Sequence, residues 1–495
     1  MDLMALLAEF ASPATLLAIV LGTALGIIIG GLPGLGSVVG LTICLPFTFT
    51  MAPAPAILLL LAVYCGSVYG GSISAILINT PGTPQAAATT LDGFPMAEAG
   101  RGGEAMGWAT VASVAGGLIS CIVLIAAAPQ LARWAVRFGS VEVFALIVLA
   151  LTCIAAVSGN SMIKGLLMGA LGLFLALVGV DPILGSPRFT FGSFNLIAGF
   201  DLIAVVIGLF ALSEVMIRLT SGGSSIEAVR SVRIRLPSLA DWRGRWGGLL
   251  RSSAIGCGVG ALPGTGAATA AFIAYGLAQQ TSPRRAQLGQ GEPDGIIAAE
   301  SSNNAVTGSA MIPTLALGIP GDVVTAILLN ALVIHGITPG VRLMADNPGV
   351  VYMIFTGLIL INLVMLALAF PVVRLFGLIL RIPERFVLAA VVSLALIGAA
   401  AVRGNPFDVL VAVVFGIVGF ALRRGGFPMA PLVIGLVLGP QLERSLRRGL
   451  LIKQDDFLAF FTHSWIATSL FIFTALLLAL PLLRRLAGSR HRNGG

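Results

Sequence analysis

Residues 260–266 read GALPGTG, and residues 30–36 read GGLPGLG. The two stretches lie 230 positions apart, agree at five of seven residues, and each sits inside an apolar run. Neither can continue a helix undisturbed. Proline removes a backbone donor and clashes with the preceding turn, and the glycines relax the chain further. Inside hydrocarbon such a break is tolerated only where the backbone faces protein or a wet cavity.

The surrounding composition puts these breaks in hydrocarbon. Of 495 residues, 57% are hydrophobic and 10% charged, with a mean hydropathy of +1.01. A soluble domain carries about a quarter charged residues. The chain therefore reads as an all-α polytopic membrane protein of about 10–12 segments, without the strand-like alternation of a membrane barrel. The net charge is +8, nearly all of it from arginine; the two lysines are Lys164 and Lys453. The arginines fall in short loops between apolar runs, so they set orientation and do not indicate a nucleic-acid partner. Cys44, Cys65, Cys121, Cys153 and Cys257 lie in apolar segments without CxxC spacing and read as small buried hydrophobes. His335, His463 and His491 show no metal-ligand spacing. Residues 13–31 lack the basic flank of a signal peptide, since Asp2 and Glu9 precede them.

Taken in order, arms 13–29 and 37–50 flank the first tip and predict a re-entrant hairpin; a kinked spanning helix is the alternative. An apolar helix over 54–78 runs into a break at Asn79–Pro84 (NTPGTP), followed by a short helical stretch and then a Gly/Pro-containing end at Leu91–Pro95 (LDGFP). Glu98, Arg101 and Glu104 predict a polar loop. Apolar spans follow near 105–128, 141–157, 163–180 and 199–217. Residues 1–220 thus form a first repeat, and the arginine-rich stretch 221–250 a cytoplasmic connection. The second repeat, 251–495, opens with arms 252–261 and 267–279. Glu300–Ser309 (ESSNNAVTGS), Met311–Asp322 (MIPTLALGIPGD) and a helix to His335 come next. Further runs lie near 350–373, 386–402, 407–422, 428–439 and 464–483, the fourth too short to be a secure span, and C-terminal arginines put that end inside. Five crossings separate the two hairpins. Since no Lys or Arg precedes Arg101, the first hairpin has its ends outside, and the second enters from the opposite face. That is an inverted repeat.

The two LPG tips, NTPG, LDGFPMA, the NNA of Asn303–Ala305 and IPTLALGIPG stand in one order across nearly the whole chain. This set resembles the large membrane subunit of the tripartite tricarboxylate transporters. The resemblance implies a permease of the bacterial inner membrane that imports carboxylates, driven by an ion gradient. It also implies two partners, a small membrane subunit and a periplasmic solute-binding protein. The chain departs from the family pattern at Thr83, where an acidic residue is common, and at Ser301 and Ser302, where small apolar residues are usual.

Matched breaks in two halves are the pattern of a transporter site. The break motifs contain no Lys or Arg, so helix N-termini must hold an anion. Four are expected to meet. They follow Pro33, Gly34, Leu35 and Gly36; Thr80, Pro81, Gly82 and Thr83; Pro263, Gly264, Thr265 and Gly266; and Pro320, Gly321 and Asp322. Thr83, Thr265 and Asp322 are candidate N-caps, and Ser37, Ser72, Ser74, Thr307 and Ser309 candidate hydroxyl contacts. The plain alternative is close helix packing by small residues. Asn79, Asn303 and Asn304 offer neutral oxygens for a sodium ion, or interhelical glue. Glu300 is the acidic candidate for a proton, although a charge at the end of the cytoplasmic loop is the expected place for it; Asp92 and Glu104 are expected at the interface too. Gly256–Gly266 superficially resembles a nucleotide loop but lacks a strand–helix unit and a Walker lysine. No cofactor and no enzyme activity are expected. An anion channel with re-entrant segments is the rival class.

Single cysteines at residues 52 and 284, in a background free of the native five, test the topology. The inverted repeat requires that an impermeant thiol reagent label them from opposite sides of the membrane; labelling from one side rules it out.

Overall fold

The structure is a computed structural model that describes residues 12–157, 161–181, 183–221, 232–264, 266–379, 381–454 and 456–492. The first arm is α1, Pro13–Gly31, capped by the Ser12 side chain, and the second is α2, Gly36–Cys44, which tightens into a 3₁₀ turn over Leu45–Thr50. Helix α3 spans Pro53–Ile78. After a 3₁₀ turn at Pro84–Ala87 come α4, Thr90–Met96, and α5, Gly102–Ala135. Then follow α6, Ser140–Val157; α7, Met162–Leu175; and α8, Leu202–Thr220, with a π turn at Ile207–Leu212. The second set begins with α9, Trp246–Ala261, and α10, Ala267–Thr281. Next are α11, Pro293–Ser309; α12, Met311–Leu317; and α13, Val323–Ile334. The chain continues with α14, Pro348–Ile379; α15, Glu384–Arg403; α16, Pro406–Arg424; α17, Met429–Ile452; and α18, Trp465–Arg492. Among the described residues seven helices are long and apolar enough to cross a membrane, and strand is confined to the pair β1, Gly179–Val180, and β2, Pro187–Arg188. The protein is an all-α polytopic membrane protein.

Two compact units divide the described residues. One draws on Met1–Ala132 and Ile203–Ala421, the other on Arg133–Leu202 and Leu422–Gly495. The broken segments α1–α2 and α9–α10 both belong to the first, and α1 is itself among the helices long enough to cross.

In that unit, glycine stripes let helices approach to backbone contact. A Cβ built on Gly22 or Gly26 of α1 would fall 2.6 Å from the carbonyl oxygen of Leu59 or Val63 on α3. One on Gly66 of α3 would fall 2.6 Å from the Thr23 oxygen. The second half repeats the device between α9 and α11, where a Cβ on Gly256 would lie 2.8 Å from that of Ala305. Without a hydrophobic drive between helices in lipid, such close packing is what holds them.

The tips share one backbone solution. Gly34 and Gly36 have φ of 79° and 66°, and Gly264 and Gly266 have 83° and 71°. These are left-handed angles that a side chain resists. The breaks also match: α3 ends on a left-handed Asn79 (φ 53°) and α12 on a left-handed Gly318 (φ 69°). Both are C-caps of the kind that Gly and Asn supply.

Some local expectations change. Leu91–Pro95 does not end the short helix but lies inside α4, where the Gly93 N–H donates to the Thr89 carbonyl at 2.8 Å. The polar loop around Glu98–Glu104 is a π turn, kinked at Gly100 (φ 78°), that joins α4 to α5. Its Arg101 guanidinium pairs with Glu104 on the exposed surface at 2.6 Å.

In the second unit, α6, α7, α17 and α18 pack together. The apolar run 428–439 continues as the 24-residue α17 through its charged end. That end stays helical because its charges are paired: Arg188 donates to Glu443 at 2.6 and 3.0 Å, and Arg447 to Asp181 at 2.9 Å. Amides of Ile183 and Leu184, then Arg447, hold the Asp181 carboxyl down at about 2.

A leucine at Gly26 would place its Cβ within a backbone oxygen's radius. We expect Gly26→Leu to cost at least the roughly 1–3 kcal/mol of an overpacked core. A lowered thermal midpoint of the purified protein in detergent checks this; an unchanged midpoint would show that the α1–α3 approach is loose.

Candidate functional site

Each hairpin tip rests on the break of its own half. The Gly264 N–H donates to the Gly321 carbonyl at 2.5 Å. In the first half, Gly82 lies against the Gly30 carbonyl, and a Cβ there would also fall 2.8 Å from Ser74 Oγ. The second arms then cross over. Helix α2 packs on α13 of the other half, and α10 packs on the Pro84–Ala87 turn. Ala88, Ala271 and Ala299 form a small buried cluster at the latter junction. At the former, Tyr64 Oη donates to Asp322 Oδ2 at 2.8 Å. The same parts thus meet twice, each time one half's hairpin arm with the other half's post-break segment.

The four expected helix N-termini are not equivalent. Helices α2 and α10 start after the tips on Leu35 and Gly266, whose side chains supply no cap. Helix α13 is closed by a capping box: Asp322 Oδ1 accepts from the Thr325 N–H at 2.7 Å, and the Asp322 N–H donates to Thr325 Oγ1 at 2.8 Å. The Asp322 carboxylate therefore already occupies the place an anion would take. After NTPGTP no α-helix starts at Thr83. Pro84 opens a 3₁₀ turn, and Thr83 makes no capping bond. Thr265 lies outside the described residues.

Around these ends, several buried polar atoms have no partner. They include Ser37 Oγ, Ser72 Oγ, Thr83 Oγ1, Ser301 Oγ and both amide atoms of Asn303. Each buried unpaired group costs about 1–3 kcal/mol, so a concentration of them marks a place that another molecule completes. Asn303 shares a helix stripe with Ala299, Val306 and Ala310, which pack on Ala267, Ala270 and Ala271 at the uncapped start of α10. Ser74, Thr307 and Ser309 instead bond back to carbonyls of their own helices. Pro33, Gly36, Pro263, Gly264 and Gly266 are half-exposed, Gly34 exposed, and Leu35, Gly82, Pro320 and Gly321 buried. Pro81 is half-exposed, and Thr80 and Asn79 are exposed. The described reason for Asn79 is the left-handed cap.

Glu300 is not a loop-end charge. It lies in the middle of α11, fully buried. Helix α11 begins at Pro293, so the charged stretch before it supplies the membrane face and Glu300 sits two turns deeper. Thr89 Oγ1 donates to its Oε1, Ser113 Oγ to its Oε2 at 2.8 Å, and Asn304 Nδ2 to its backbone carbonyl at 3.1 Å. Asp92 is likewise buried, not interfacial. It accepts from the amides of Gly289, Gly291 and Glu292 at 2.8–2.9 Å and from Tyr275 Oη at 2.8 Å. It ties α4 to the loop that launches α11.

Side chains outside the motifs also reach the site. Arg218, near the end of α8, lies over the first tip: a Cβ on Gly34 would come within 2.8 Å of its Cζ. Its guanidinium donates to Glu214 at 3.1 Å and to Glu384 at 2.7 Å. The sequence signals Arg218 only as a loop charge, and Thr89 and Ser113 only as hydroxyls in apolar surroundings.

The profile of the tripartite tricarboxylate transporter TctA family matches residues 16–434. An uncharacterized 52.8 kDa protein from the TAR-I ttuC' 3' region of Agrobacterium vitis is 38% identical over 449 residues, covering 91% of this chain and 89% of its own. A second protein, from the TAR-II ttuC' 3' region of the same organism, is 39% identical over 212 residues, covering 43% of this chain and 87% of its own. No solved structure matches.

Asp322→Ala would remove both the cap of α13 and the partner of Tyr64. We expect a stability loss of about 1–2 kcal/mol, with Asp322→Asn close to wild type because asparagine also caps. Thermal unfolding of the three proteins in detergent checks this; equal midpoints would show that the cap is idle.

Proposed function

The chain belongs to the tripartite tricarboxylate transporter TctA family, and on that premise we propose that it is the large permease subunit of a secondary uptake system for a tricarboxylate or related carboxylate. It works in the bacterial inner membrane with its C-terminus in the cytoplasm. A periplasmic solute-binding protein delivers the anion, and a small membrane subunit completes the complex. A gradient of sodium ions or protons drives the step. The two hairpin–break repeats lie in opposite orientation, so that rocking one against the other alternates access.

The observation that supports this reading most is the crossed assembly of tips and breaks. It sets the uncapped starts of α2 and α10 beside buried hydroxyls and an amide without partners. A carboxylate entering there would exchange its water for backbone N–H groups and the helix dipoles. The Asn303 amide and the Thr83 hydroxyl, which lack partners otherwise, would gain them. Arg218 is held by two carboxylates at the first tip, so the local positive charge that meets the substrate is mainly that of backbone. The site is then selective for shape and acceptor geometry more than for charge alone.

Gly264→Leu puts a side chain at a left-handed glycine that donates to Gly321. We expect it to abolish carboxylate uptake in cells carrying all three subunits while the protein still reaches the membrane. Uptake at the wild-type rate would sink the role of the tip. Uptake into proteoliposomes that saturates and follows an imposed ion gradient separates the transporter from an anion channel, which would pass anions without one.

A further inference from the structure

Glu300 and Asp92 are fully buried carboxyls of the first unit with no ion pair among the described residues, but Asp92 is met by three backbone amides and Glu300 by none. No ion pair to it exists among the described residues, and its side chain is 0% exposed. An isolated carboxylate in such a place is costly, so it requires either a proton or a cation from solution. Hydroxyls surround it, with the Asn304 amide nitrogen further off, donating to Oε2 at 3.5 Å. Thr89 Oγ1 touches one carboxylate oxygen and Ser113 Oγ the other. Ser72 Oγ faces the same group, yet stays outside hydrogen-bond geometry and has no other partner. All three hydroxyl residues are buried to within 1%.

We infer that Ser72, Thr89, Ser113 and Glu300 form a binding site for one sodium ion. Four features argue for it. A carboxylate and three hydroxyls suit a hard cation, and the one nitrogen at the group, Asn304 Nδ2, is an amide donor that no transition metal would take as a ligand. One carboxylate balances one positive charge, whereas divalent ions are usually met by several. A proton needs a single acceptor, while here three hydroxyls converge on one carboxylate. Finally, the four residues come from α3, the segment before α4, α5 and α11, so an ion would draw together elements of both sequence halves. Asn303 lies less than a turn further along α11. An ion at Glu300 therefore fixes the position of the helix that carries part of the proposed anion site. This deepens the transporter reading and, as a coupling device, rests on it; the ion site itself does not.

The test is binding of ²²Na⁺ to the purified full-length chain in detergent at fixed pH, by scintillation proximity, with no carboxylate present. Wild type should bind saturably, and unlabelled sodium should displace the label while potassium does not. Thr89→Val and Ser113→Ala should each weaken binding by about tenfold, the low end of what losing one supporting group costs a metal site. Glu300→Gln should abolish it. Circular dichroism and a monodisperse elution profile establish that each variant is folded; if Glu300→Gln is not, the two hydroxyl variants decide. Folded wild type without saturable sodium binding overturns the site. So do hydroxyl variants that bind as wild type does. A thermal midpoint that depends on pH but not on sodium, and loses that dependence in Glu300→Gln, would assign the carboxyl to a proton instead and overturn the proposal. Sodium binding without carboxylate uptake by the assembled system would leave this site standing and sink the transport reading.

Discussion

In hydrocarbon every backbone N–H and C=O must find its partner within the protein. The first unit is shaped by that rule, because it breaks its helices four times and must satisfy each break internally. The Asn79 N–H turns back to the Ser74 carbonyl, and the Gly82 N–H donates to the Gly71 carbonyl at 3.3 Å. On the other side Ile319 donates to Pro313 at 3.3 Å and Gly340 to Leu315 at 3.1 Å. The second tip uses the break itself, through Gly264 and Gly321. Such bonds require backbones to touch, which in turn requires the glycine stripes of α1, α3, α9 and α11. Tips, breaks and stripes are therefore one solution and not three separate motifs.

This explains what the sequence discloses and what it conceals. Proline and glycine act locally and nearly without exception, so the tips at 30–36 and 260–266 and the breaks at 79–84 and 318–322 could be read directly. Leu91–Pro95 read as a helix end because glycine and proline inside a short helix leave the same letters as those after one. At 428–439 hydropathy ends where α17 does not; its last turns are held by Arg188 and Asp181, which lie more than 240 positions away. Glu300 looked interfacial for a similar reason. Its depth is set by where α11 begins, and its partners Thr89 and Ser113 carry hydroxyls that could equally have bonded back to their own helices.

The two halves share a plan but not a charge distribution. The second break carries Asp322, which closes α13 with its own carboxylate. The first carries Thr83, neutral and without a bond. Arg218 weights the first tip, whereas nothing comparable is described at the second. If the repeats lie in opposite orientation, as proposed, one face offers a substrate an uncapped helix start beside a cation and the other an uncapped start beside neutral groups. That asymmetry gives the direction of travel a physical basis, since anion affinity need not be equal at the two openings.

It also bears on how an ion could be coupled to an anion. A carboxylate held by amide dipoles still brings net negative charge to mid-membrane, and dipoles lower that cost without cancelling it. Glu300 adds another negative charge nearby when ionised. Both would be relieved by one cation, or by more than one, bound among the same helices. Binding of the cation at Glu300 and of the anion at Asn303 would then favour each other by reciprocal linkage, because each makes the other's field less hostile. Both residues lie on α11, Asn303 on the stripe that packs against α10 and Glu300 on the adjoining face. Coupling would need no long pathway, only the displacement of a single helix whose two faces bind opposite charges.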